Sequence, residues 1–459
     1  MGMVSVFPTG TTIYDPEKCC NGYTLFPVDK KGTALIDMNG RVVRFWKDTC
    51  PMPAKMLPNG HILTCLSERD KKYAYQDHND LTEVDFNGNI VRSFDHFEEV
   101  DDDGNKYYSL RQHHDFQVEG NPVGYPIPGI GDYSNYRKVL ILCHEDRLDK
   151  KISPQLLLDD VLVEMDLDGN ILWKWSALDH FEEFGFSTAE KLAMYHDPNT
   201  QNKGKDGLGD ILHLNCASYL SENRHYDAGD ERFKPDNIIL NSRETSTTFI
   251  IDHDTGHIVW KLGPNHCDEK LGSLMGMHQV HMIPRGLAGE GNILAFDNGG
   301  MSGYGVPSPG NESGKKVYRR DHSRVIEFDP VTLEMIWCFS AADMGYASPL
   351  HAHYFYSPFI SNAQRLKNGN TLICEGVSGI LMEVTREKQI VWEYVEPEIG
   401  ELGIYRAYRV PYSWVKELEI PQEIPVKQLL NKDFHLSGAS DPNIKEETTV
   451  SIKTKGEYK

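Results

Sequence analysis

Val161 to Trp173, VLVEMDLDGNILW, reads as two strands folded back on each other at Asp168-Gly169. The flanking residues alternate in strand fashion, and a glycine at the turn tolerates the positive φ that a tight hairpin demands. The same phrase, an acid, a turn and an apolar run usually ending near tryptophan, recurs outward in both directions. Its other copies are Ala34 to Trp46 (ALIDMNGRVVRFW), Leu81 to Phe94 (LTEVDFNGNIVRSF), Phe249 to Trp260 (FIIDHDTGHIVW), Val325 to Trp337 (VIEFDPVTLEMIW) and Ile380 to Trp392 (ILMEVTREKQIVW). Asn39-Gly40 and Asn87-Gly88 repeat the turn chemistry. A second strand pair accompanies each hairpin, clearest at Lys55 to Leu63, Met282 to Leu294 and Gln364 to Leu372. Two hairpins per unit make a four-stranded blade, so the repeats predict an all-β chain folded as a six-bladed β-propeller with long rim loops. An isolated blade cannot bury both faces, whereas stacked blades can, with the recurring tryptophan as the large contact between neighbours.

The 459 residues are 39% hydrophobic and 25% charged, ample for a packed core. Residues 1–430 are expected to form a single propeller domain. From 431 to 459 periodicity and large apolar residues disappear, which predicts a polar C-terminal tail. The balance of 47 basic against 68 acidic residues gives a formal charge of −21, which repels nucleic acid and anionic lipid at long range. Met1 to Gly10 lacks a charged segment followed by an apolar one, and no window approaches the ~18 apolar residues of a membrane span. Neither nucleic acid nor membrane is an expected partner. Nine scattered cysteines, odd in number and without C-x-x-C, read as reduced thiols of a cytoplasmic protein rather than a disulfide framework or a thiolate zinc site. Irregular inserts at 67–79, 98–107, 121–136, 184–209, 299–321 and 341–357 are the expected functional rims.

In a propeller the innermost strand of each blade lines the axis, so residues far apart in sequence converge there. Those strands carry His113-His114-Asp115, His213 with Asn215, His278 and His281, and then Asn362 and Gln364 with His351 and His353 just upstream. Neutral imidazole is both nucleophile and base near neutral pH, so His213 and His278, each beginning an inner strand, lead the candidates. Three residues separate His278 from His281, so without a bulge only one of the two can face the channel.

Several phrases resemble the arylsulfotransferase family: Pro8 to Pro16 with Asn21-Gly22-Tyr23, His213-Leu214-Asn215, His278 to Gly300 (HQVHMIPRGLAGEGNILAFDNGG), Phe355 to Gly376 (FYSPFISNAQRLKNGNTLICEG) and Tyr405 to Tyr412. The resemblance implies nucleotide-independent transfer of a sulfuryl group from an aryl sulfate to a phenol, through a sulfated histidine and with no cofactor. It implies catalytic roles for His213 and His278 and a nucleophile in blade five, where His351 and His353 are the candidates. Substrate contacts would come from His114, His281, Asn215 and Asn298, with Arg406 and Arg409 in the last blade as planar sulfate clamps. A homodimer is a further implication. Phe296 to Gly300 is followed by Met301, with no arginine before Arg319, where characterised members carry one.

Two other functions fit the same residues. Channel imidazoles could hold a divalent metal for lyase or hydrolase chemistry. A non-catalytic propeller could present its rim loops to a protein partner.

Overall fold

In the computed structural model, which describes residues 9–28, 31–70, 72, 76–199, 209–300, 302–304, 308–400 and 403–428, each repeat is the outer half of a blade. From the axis outward, blade 1 is Lys55–Met56, Ile62–Thr64, Leu81–Val84 and Ile90–Phe94. Blade 2 is Gln112–Val118, Lys138–Arg147, Leu157–Asp166 and Ile171–Ser176, and blade 3 is Leu214–Tyr219, Ile238–Ser242, Thr247–Ile251 and Ile258–Leu262. Blade 4 is His278–Met282, Ile293–Asp297, Arg324–Phe328 and Met335–Phe339. Blade 5 is Asn362–Arg365, Thr371–Glu375, Ile380–Val384 and Ile390–Val395, with Gly10–Tyr14 added at its outer edge. The late strand Tyr408–Val410 is the inner strand of blade 6 and pairs with Tyr23–Val28, followed by Gly32–Ile36 and Val42–Lys47. The two ends of the ring therefore share one sheet. The six-bladed, four-stranded prediction stands; its polar tail, 431–459, lies outside the described residues.

The acid of the repeat caps the hairpin turn. Asp85 Oδ1 accepts the backbone N–H groups of Asn87 and Asn89, each at 2.8 Å, and Asp37, Asp166 and Asp329 do the same at equivalent turns. A short acceptor placed just before a turn satisfies donors that no ladder reaches. The tryptophans lock blade to blade. The indole N–H donates to a backbone carbonyl at the next blade's turn: Trp46 to Asp85 O at 3.0 Å, Trp175 to Gly256 O at 2.9 Å, Trp260 to Pro330 O at 3.1 Å, Trp337 to Arg386 O at 3.0 Å and Trp392 to Met38 O at 2.8 Å. In blade 2 the locking residue is Trp175, two residues beyond the Trp173 of the repeat, which instead stacks on His253.

Buried apolar residues fall into six clusters, one at each seam between neighbouring blades. Successive residues of one strand serve different seams: Leu140 and Leu142 pack toward blade 3, while Val139, Ile141 and Cys143 pack toward blade 1. Three inserts expected to be irregular contain regular structure. Glu98–Asp102 pairs with Asn105–Ser109, Thr188–His196 is a helix with a Ser187–Glu190 capping box, and Ser302–Tyr304 pairs with Lys315–Tyr318. No helix among the described residues is long and apolar enough to cross a membrane.

Replacing Trp392 tests the interblade bond. Trp392→Phe, which keeps most of the apolar contact but removes the indole donor and leaves the Met38 carbonyl with the Thr11 hydroxyl alone, should cost about 1 kcal/mol in urea unfolding. Trp392→Ala should cost about 3–5 kcal/mol, and equal losses in the two variants would contradict a separable contribution from the indole N–H.

Candidate active site

The inner strands are bent where they meet. Register slips between Gln112 and Phe116 in blade 2, between Leu214 and Ala217 in blade 3 and between His278 and His281 in blade 4. At or beside these slips φ is 57° at His114, 52° at His213 and 46° at Gln279, and ahead of the blade 5 strand it is 57° at Ile360 and 85° at Ser361. Non-glycine residues seldom adopt this conformation. Its recurrence on adjacent inner strands marks backbone bent to aim side chains.

The bends gather His114, His213 and His278 into one buried group. The rings of His114 and His213 meet edge to face with centroids 4.6 Å apart, and the three residues are 2%, 5% and 2% exposed. Asp210 Oδ2 lies 2.6 Å from His213 Nδ1, so the Nδ1 proton points at that carboxylate and the ring is held in one orientation. His278 Nδ1 faces two acceptors, Asn298 Oδ1 at 2.9 Å and Gly276 O at 3.1 Å, while its Nε2 accepts the Ile360 N–H at 3.2 Å. Both nitrogens of His278 are thus engaged. Burial, then the charges of Arg243 and Arg406, drive its imidazole well below the usual histidine range. Burial and neighbouring imidazoles do the same to His114. Both rings are neutral near pH 7.

Beside the imidazoles lies a buried triad. Asp115 Oδ1 accepts from Lys55 Nζ at 2.7 Å, and its Oδ2 accepts from Arg406 Nη1 at 3.0 Å. Burial would raise the Asp115 carboxyl, but Arg406 and Lys55 hold it below its usual range. Burial in turn pulls Lys55 down to about 8, with Asp115 opposing. Arg406 also donates from Nη2 to Asn215 O at 2.5 Å, so the expected clamp is already engaged on two sides. Its Nε has no acceptor among the described residues.

Other expected contacts serve the scaffold. Arg409 donates to Thr24 Oγ1, Cys20 O and Glu383 Oε2 and lies over the Trp392 ring, which places it in the seam between blades 5 and 6 rather than among the imidazoles. Asn215 ties blade 3 to Met277 O at 2.6 Å. Asn298 bridges His278 to the carbonyls of Ser357 and Ile360. The bulge turns His281 to another set of partners, with Nε2 2.8 Å from the Tyr125 hydroxyl and Nδ1 3.0 Å from Gln279 O. The structure does not bring His351 and His353 to the cluster. They flank Ala352 on an exposed turn, and both rings pack against Tyr354. The reason is local: Phe355 is the buried anchor of that loop, and the histidines just before it are left outside.

Sequence reading missed Asp210, Arg243 and a layer behind His113. Arg243, 7% exposed, donates its backbone N–H to His213 O at 3.1 Å and supplies positive charge to His278. Behind His113, His144 stacks with centroids 3.6 Å apart and bonds Asp77 Oδ1 at 2.7 Å. Asp159-Asp160 inside the apolar run LLLDDVLVEMD was the available signal, since acids in such a strand are buried and require partners.

A pH experiment tests the neutral state of His278. A buried imidazole with a lowered pKa contributes stability above its ordinary value of 6.5 that drains away as pH falls below it. Native protein should therefore lose more unfolding free energy than His278→Gln between pH ~7 and ~5, the gap changing by up to ~1.4 kcal/mol per pH unit. Buried acids such as Glu375, pushed up to about 7 by burial, act in the opposite direction in both proteins and cancel from the difference. Parallel slopes would contradict the assignment.

Residues 135–402 match the family model described as Arylsulfotransferase (ASST). No curated protein matches the chain significantly. Among solved structures, a protein of unknown function from Bacteroides caccae aligns with TM-score 0.44 and 10% identity over 85% of this chain and 99% of that one. A putative 6-phosphogluconolactonase from Bacteroides fragilis aligns with TM-score 0.37 and 10% identity over 86% and 100% of the two chains. A streptogramin B lyase aligns with TM-score 0.35 and 10% identity over 86% and 85%. With a family match that covers more than half of its length, from the second strand of blade 2 through blade 5 of a six-bladed propeller, this chain belongs to the arylsulfotransferase family.

Proposed function

We propose that the protein moves a sulfuryl group from a phenolic sulfate ester to a second phenol, with His213 as the nucleophile. The observation that carries this assignment is the His213–Asp210 pair, 2.6 Å apart and set against His114. In the first half-reaction the Nε2 lone pair attacks sulfur, the S–O bond to the aryl group breaks, and a phenolate departs. The N-sulfated imidazole keeps its Nδ1 proton, and Asp210 balances the positive charge that develops on the ring. In the second half-reaction the acceptor phenol oxygen attacks sulfur, the N–S bond breaks, and the phenol proton passes to a neutral imidazole, for which His114 is the adjacent candidate. Arg243 and the Arg406 guanidinium are the nearby cations for the sulfuryl oxygens. Burial supports this use of charge, because donors fixed in a dry site interact more strongly with developing anions than they would in water. The nine free thiols favour a reducing, cytoplasmic setting, so the sulfate donor would be an intracellular aryl sulfate.

Mixing the protein with an aryl [35S]sulfate and quenching in alkali should leave label on native protein and none on His213→Ala. Asp210→Asn should lower turnover by ~10³–10⁴-fold and Arg243→Gln by ~10²-fold, with folding checked by circular dichroism. Label retained on His213→Ala would overturn the assignment of the nucleophile.

A further inference from the structure

A second group of titratable side chains lies behind the proposed transfer site, and that mechanism uses only one oxygen of its Asp210. His144 and Asp160 are direct cross-strand partners on the second and third strands of blade 2, and the bulge in the inner strand brings His113 beside them. Asp160 Oδ1 is 3.4 Å from His113 Nε2 and 3.8 Å from His144 Nε2. The bridge between Leu158 and Asp210 carries Asp210 from the next blade to the same region, where its charge acts on Asp160. His113, His144, Asp160 and Asp210 are each 1% exposed or less.

Four atoms in this group, His113 Nε2, His144 Nε2, Asp160 Oδ2 and Asp210 Oδ1, have no hydrogen-bond partner among the described residues. Each orphaned buried polar atom costs about 1–3 kcal/mol, so four together require an occupant. Internal proton sharing falls short. A protonated Asp160 can donate once, toward one imidazole, and an Nε2–H tautomer of the other could face its Oδ1, but Asp210 Oδ1 would still lack a donor.

Their outward-facing atoms, by contrast, are already held. His144 Nδ1 bonds Asp77 at 2.7 Å, Asp77 is fixed by Arg111 at 2.7 Å, and His113 Nδ1 bonds His114 Nδ1 at 2.8 Å. A carboxylate on one ring nitrogen with the other presented inward is the usual outer support of a metal-binding histidine. We propose that His113, His144 and Asp160, with Asp210 alongside, bind one divalent first-row transition-metal ion. Donors about 2.1 Å from a tetrahedral ion stand about 3.4 Å apart, the scale of the separations here, and nitrogen and oxygen donors suit zinc, manganese or iron. The two imidazoles stack with planes 10° apart, so one ring must turn before both lone pairs meet a single ion. The ion would also compensate the two adjacent carboxylates. This inference is independent of the sulfuryl-transfer reading, because binding is measured without turnover.

The test uses the full chain, stripped with chelator and titrated with ZnCl2 by calorimetry and with CoCl2 by visible absorption. One ion per chain should bind, with Co2+ ligand-field bands of a nitrogen and oxygen site. His113→Gln and His144→Gln should each weaken binding by at least ~100-fold, and Asp160→Asn by as much or more. The partly exposed group of His180, Glu183 and His257 is the control: its two Nδ1 atoms already bond Glu183, and His257→Gln should leave binding unchanged. Should Asp160→Asn fail to fold, the two histidine variants and the imidazole NMR shifts of the native chain on adding Zn2+ decide the matter. Absence of saturable binding, as for a pocket holding only water, would overturn the proposal. So would binding that survives His144→Gln but disappears with His257→Gln.

Discussion

The three inner strands of every blade in this protein are buried on both faces, and that constraint governs the rest. Alternate residues of a single strand serve opposite seams, as Leu140 and Ile141 do, so a blade deprived of either neighbour exposes half of its core. Closing the ring is the only arrangement in which every seam is covered. Apolar packing alone leaves the angle between blades loosely defined. The indole N–H bonds from one outer strand to the next turn give five of the six seams a directional contact, the exception being the seam between blades 1 and 2, where Phe94 stands in the tryptophan's place, and the capping aspartates keep those turns in the shape that offers the carbonyl.

The ring also explains how charge survives at its centre. Lys55, Asp115 and Arg406 come from three inner strands or their approaches, and no one of them would be tolerable alone in a dry interior. Together they form a nearly compensated set around which neutral imidazoles are arranged. Desolvation keeps His114 and His278 uncharged, and a carboxylate orients His213. Proton affinity is thus set by burial and neighbouring charge more than by residue type.

The architecture was legible because hairpins obey short-range rules. Asp85-Phe86-Asn87-Gly88 announces its turn in four residues, and repetition supplied the count of blades. His213 and His278 were legible because His278 begins an inner strand and His213 immediately precedes one. Arg409 was misread because alternation within one short strand decides whether a side chain meets the axis or a seam, and its partner Glu383 is distant in sequence. Arg243 and His144 escaped for the same reason: each acts through contacts across strands or blades, and no local spacing encodes them. Asp210 stands only three residues before His213, and what its spacing does not announce is the turn that aims the carboxylate back at the ring. His351 and His353 looked well placed by proximity to the fifth inner strand, but a loop anchored by Phe355 carries them outward.

Because the strand Tyr408–Val410 completes a sheet begun by Tyr23–Val28, most of the chain must leave the ribosome before the ring can shut. Until then the nascent protein carries Lys55 and Asp115 without the guanidinium that joins them, and the edge of Tyr23–Val28 stays open to pairing with other chains. Assembly of the central site is therefore a late event in biogenesis. A prematurely terminated polypeptide would have most of its blades and still lack a finished interior.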